Sequence, residues 1–70
     1  MESEIKKQLY EIMDKDPEAR YQLQYRDYHD DRWTLPVLLK DYRIDVFVDD
    51  LSLKRIKIRY SDGTIKTIIP

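Results

Sequence analysis

Ile5, Leu9, Ile12 and Met13 recur at the spacing of one helical face. Ser3 stands where an N-terminal cap is needed, and Glu2 and Glu4 sit at the positive end of the helix dipole. A first helix is therefore expected from about Ser3 to Lys15. Asp16-Pro17 reads as a stop followed by a start, because proline cannot continue a helix but suits the first turn of a new one capped by Asp16.

The next segment fits two periods. At a period of 3.6, Tyr21, Tyr25 and Tyr28 share a face; at a period of 2, Tyr21, Leu23 and Tyr25 oppose Gln22, Gln24 and Arg26. The explicit start signal at Asp16-Pro17 favours a second helix. His29, Asp30, Asp31 and Arg32 form a polar break. Trp33 to Lys40 fits an edge strand that tolerates Pro36 or a helical turn opened by Thr34, and is left unassigned.

Strict alternation takes over in the second half. Tyr42, Ile44, Val46 and Val48 alternate with Arg43, Asp45, Phe47 and Asp49, the pattern of a strand buried on one face, and Asp49-Asp50 makes a turn. Leu53 to Tyr60 alternates again, with Ile56, Ile58 and Tyr60 against Arg55, Lys57 and Arg59. Asp62-Gly63 is a strong hairpin signal. A two-residue turn centred there pairs Tyr60 with Ile65, Ile58 with Thr67 and Ile56 with Ile69. That register sends Ile65, Thr67 and Ile69 to the core and leaves Lys66 and Ile68 outside. The expected fold is one small α+β domain over residues 1–70, with one or two N-terminal helices packed on a C-terminal antiparallel three-stranded sheet, in the order ααβββ.

Composition narrows what such a domain can do. Seventy residues bury only roughly 60% of their unfolded surface, and no cysteine is present to reinforce the core. The absence of cysteine fits a reducing compartment, so a cytoplasmic protein is expected. The longest apolar run, Pro36 to Leu39, is far shorter than the ~20 residues of a membrane-spanning helix, and the N-terminus is polar from its second residue, unlike a signal peptide. Isoleucine, leucine and valine total 18, which is enough for a core despite a charged fraction of 39%. Net charge is −1 but unevenly divided: residues 1–36 carry −3 and residues 37–70 carry +2.

Candidate chemistry is sparse. His29 beside Asp27, Asp30 and Asp31 is one imidazole among short acids, whereas zinc asks for three or four convergent ligands, so neither metal nor cofactor is expected. The nucleophile-elbow, P-loop, dinucleotide and zinc-protease motifs are missing, and one glycine cannot build a phosphate cradle. An enzyme is not expected. The acidic run with Asp49 and Asp50 resembles a phosphate mimic, yet a net charge of −1 is too small for one.

Two surfaces remain. Tyr21, Tyr25, Tyr28 and Trp33, with Asp30 and Asp31 between them, have the residue types of protein-interface anchors. The leading expectation is thus a non-enzymatic protein-interaction module acting by stoichiometric contact, as an inhibitor, adaptor or accessory subunit of the kind phages and mobile elements encode. The alternative is a nucleic-acid-binding module using Arg43, Phe47, Arg55, Lys57, Arg59 and Lys66 on the outer face of the sheet, with the isoelectric point near 5.7 arguing against it. A marginal core and an unprotected sheet edge also make homodimerisation an expectation.

Overall fold

The structure is a computed structural model that describes residues 4–26, 32–41, 44 and 48–70. Helix α1 spans Glu4–Lys15 and is followed by β1 (Arg20–Tyr25), β2 (Val37–Leu38) with a 3-10 turn at Leu39–Asp41, β3 (Leu53–Arg59) and β4 (Ile65–Ile68). The strands form an antiparallel four-stranded sheet in the order β2-β1-β3-β4. The predicted face of α1 lies on this sheet: Leu9 is fully buried, with Ile5, Ile12 and Met13 packed around it. Tyr21 and Leu23 of β1, Leu53, Ile56 and Ile58 of β3 and Ile68 of β4 meet α1 in the core, and Ala19, Leu39 and Ile44 complete it. The result is a small α+β domain.

The expected second helix is a strand through Tyr25. In a helix Leu23 would point away from Tyr21 and Tyr25, whereas the period-2 arrangement buries Tyr21 and Leu23 together. Asp16-Pro17 belongs to a turn instead, closed by the Ala19 N–H donating to the Asp16 carbonyl at 3.1 Å, with proline at its second position. Freed from capping a helix, the Asp16 carboxylate accepts the Ser61 N–H at 2.8 Å and ties the end of α1 to the distant hairpin. Of the unassigned segment from Trp33 to Lys40, only Val37 and Leu38 form the short edge strand β2, and Leu39 and Lys40 enter the 3-10 turn.

The strand expected from Tyr42 to Val48 is also corrected at its two described residues, Ile44 and Val48, which have helical backbone, while the other five lie outside the described residues. Residues four apart share a face in a helix and in a strand alike, so the spacing of these two apolar residues did not discriminate. Ile44 is buried and Val48 packs against the core. The sheet therefore owes its four strands to β1 and β2.

The hairpin register differs by one residue from the expectation. Arg59 pairs with Ile65, Ile58 with Lys66, Lys57 with Thr67 and Ile56 with Ile68. The Gly63 N–H donates to the Tyr60 carbonyl at 3.0 Å and the Tyr60 N–H donates to the Thr64 carbonyl at 2.8 Å. Those two bonds define a three-residue loop, in which a tight turn is followed by a left-handed residue, here Gly63 at φ 92°. Asp62 adds the deciding contacts by accepting from the Thr64 hydroxyl at 2.7 Å and its N–H at 2.9 Å, which also hold its carboxyl below the usual range. One residue of slip exchanges the faces of β4, so Ile68 is buried while Ile65 and Ile69 are exposed.

A bulge adjusts β3 in the opposite sense. Gln24 pairs with Arg55 but Tyr25 pairs with Leu53, leaving Lys54 as the extra residue. Leu53 and Ile56 are three apart and both buried because of it.

Candidate functional site

None of the four strands contains an aspartate or glutamate, although acids make up 14 of the 70 residues. Their sequences hold six cations instead: Arg20, Lys54, Arg55, Lys57, Arg59 and Lys66. Pleating sends the core residues of β1 and β3 toward α1 and turns Arg20, Gln22, Arg55, Lys57 and Arg59 to the opposite face. Across the ladder Arg20 faces Arg59, Gln22 faces Lys57 and Gln24 faces Arg55. The opposed arginines are both exposed, and neither forms an ion pair among the described residues. Like charges in direct apposition disfavour the sheet, so this pair is a positive site with no acidic partner among the described residues.

Trp33 joins the same face. It bridges Gln24 as an extension along β1, and Thr34 beside it is clamped by three bonds. The Leu23 N–H donates to the Thr34 hydroxyl at 2.8 Å, the Thr34 N–H donates to the Leu23 carbonyl at 2.8 Å, and Gln22 Nε2 donates to the Thr34 carbonyl at 3.1 Å. With its backbone fixed, the indole reaches across toward β3, and Lys57 Nζ lies 4.3 Å from the ring centroid. One aromatic and four cations thus share a face with no acid from the strands on it.

The sequence-predicted residues divide sharply. Arg55, Lys57 and Arg59 lie together on the open face as expected. Lys66 does not join them, because the register sends it to the α1 side opposite Ile58. There it lines a groove of about 290 Å³ with Gln8, Glu11, Lys15, Asp16 and Tyr60. Arg43, Phe47, Tyr28, Asp30 and Asp31 lie outside the described residues.

Among the aromatics, Tyr21 is 1% exposed and belongs to the core. Tyr25 is half-buried against that core, and Trp33 is half-buried on the basic face. The Tyr21 hydroxyl has no hydrogen-bond partner among the described residues, and burial together with the nearby Tyr60 and Asp16 pushes its pKa up to about 12. Arg20 is the residue that sequence reasoning missed. Its signal was the period-2 pattern starting at Tyr21, which places Arg20 opposite a strand already recognised as basic.

Among the described residues no three acidic or histidine side chains converge as a metal site, and His29 lies outside them. No described helix is long and apolar enough to cross a membrane. No known protein family, curated protein or solved structure matches the chain.

Proposed function

We propose that this protein is a small non-enzymatic binding module that holds the backbone of a single-stranded nucleic acid on the open face of its sheet. The observation that carries this reading is the apposition of Arg20 and Arg59 on a sheet whose strands contain no acid. Phosphates relieve the repulsion between such cations and release their own counterions, which is the main source of affinity in this class of complex. Trp33 offers a surface on which a base stacks, and a broad flat sheet suits an unpaired strand better than a duplex groove. The whole-chain isoelectric point near 5.7 is an average over unlike regions, because every described acid lies in α1 or outside the strands.

The test is fluorescence anisotropy of a labelled single-stranded oligonucleotide across a range of salt concentrations. Affinity should fall linearly with salt on logarithmic axes, and replacing both Arg20 and Arg59 by alanine should flatten the slope by roughly 0.7 for each arginine. A salt-insensitive interaction, or none, overturns the reading.

A second reading is favoured by one observation. Ile65 is 55% exposed on the same face, directly opposite Arg59. Arginine beside exposed aliphatic surface also suits an acidic protein partner, which would make the molecule an inhibitor, adaptor or accessory subunit. Tyr21 cannot serve as an anchor for that partner in the folded protein, so Trp33 and Ile65 would carry the contact. Capture of an acidic protein by a chain that ignores oligonucleotides would favour this reading.

A further inference from the structure

The outer edge of β4 has no neighbouring strand among the described residues, and its hydrogen-bonding phase follows from the hairpin. Tyr60 and Thr64 form a hydrogen-bonded pair, so the alternation of an antiparallel ladder makes Ile58·Lys66 and Ile56·Ile68 the bonded pairs further along. Ile65 and Thr67 fall between them. Their N–H and C=O groups point away from β3, to the side on which no described strand pairs with β4. The side chains of Ile65 on this strand and of Ile69 just past its end are 55% and 74% exposed, and the only charge on the strand, Lys66, is directed to the α1 side. Edge strands are normally protected by charge, proline or brevity. The opposite edge, β2, is two residues long, whereas β4 lacks such protection on its outward face.

We propose that two copies of this chain pair antiparallel through β4, with the two-fold axis passing through Thr67. In this register Thr67 faces its own copy, and Ile65 of each chain faces Ile69 of the other, so the outward backbone groups meet as bonded pairs. An axis through Lys66 would set two ammonium groups directly opposite each other, an arrangement that costs stability. The Thr67 register instead places each Lys66 opposite Ile68. It also covers the two most exposed isoleucines of the hairpin and joins the sheets of both copies into one continuous sheet.

The contact is self-complementary and closes on itself, so it yields a dimer and not a filament. A single short strand pair buries less than the ~1,200 Å² of a stable interface. The dimer is accordingly weak and reversible. This inference does not rest on nucleic-acid binding at the open face, and a protein partner seated on Ile65 would compete with it.

Thr67→Pro discriminates, because it removes an N–H that points outward and takes no part in pairing with β3. Sedimentation velocity across a wide dilution series should show the parent chain moving from monomer to dimer as concentration rises. Thr67→Pro should remain monomeric throughout while keeping the parent circular dichroism. Should Thr67→Pro lose its fold, Thr67→Lys supplies the same test by placing like charges at the axis, and it should also be monomeric. A parent chain that stays monomeric at every concentration overturns the proposal. So does a dimer that persists in whichever of these variants is folded.

Discussion

Asp16 and Ser61, 45 positions apart, are joined by a 2.8 Å hydrogen bond from the Ser61 backbone N–H to the Asp16 carboxylate. One residue thereby ends α1, opens the turn into β1 through its carbonyl, and fixes the hairpin tip through its side chain. Asp16→Ala should lower stability by about 1 kcal/mol in urea denaturation, with Asp16→Asn losing less because it keeps an acceptor. An alanine variant as stable as the parent would show that the bond contributes nothing.

Tyr21 presents a buried hydroxyl with no partner among the described residues, which is a cost that packing of its ring outweighs. Tyr21→Phe should therefore raise stability, by about 1 kcal/mol. Below the ordinary phenol value of 10.0 both folded and unfolded chains hold the proton, so no pH dependence arises there. Between 10.0 and about 12 the unfolded phenol ionises while the folded one does not, and stability falls as pH rises. Denaturation midpoints over that interval should drop by the equivalent of roughly 2 kcal/mol more in the parent than in the phenylalanine variant. Equal slopes in the two proteins would refute the account of this residue.

Gly63 adopts φ 92°, and a Cβ built there meets nothing within 4 Å. The cost of Gly63→Ala is then purely conformational, on the order of 1–2 kcal/mol. Thermal unfolding checks it, and an unchanged midpoint would contradict the three-residue loop that sets the register of β4.

These residues also mark where the sequence was readable. The face of α1 and the alternation of Arg55 to Tyr60 were legible because each fits one period only. Tyr21 to Tyr25 and the pair Ile44 and Val48 fit both periods, and there the tertiary core decided. The hairpin was recognisable from Asp62-Gly63, but its register depended on whether Asp62 would bond to Thr64, a choice between two glycine-containing loops that differ by one residue. That single residue moved Lys66 away from the basic face and Ile65 onto it. Arg20 could be placed opposite Arg59 only after β1 was known to be a strand, so the candidate site was half visible from the sequence.

Trp33 is the only tryptophan in the chain and lies on the proposed binding face, so its emission reports directly on occupation of that face. Titration with a pyrimidine-rich single-stranded oligonucleotide at low salt should give a saturable change in Trp33 fluorescence. Raising the salt should reverse that change, and the Arg20→Ala, Arg59→Ala double variant should weaken it. Unchanged emission with no binding at low salt, or binding indifferent to both salt and the arginines, would contradict the claim that this sheet is a nucleic-acid platform.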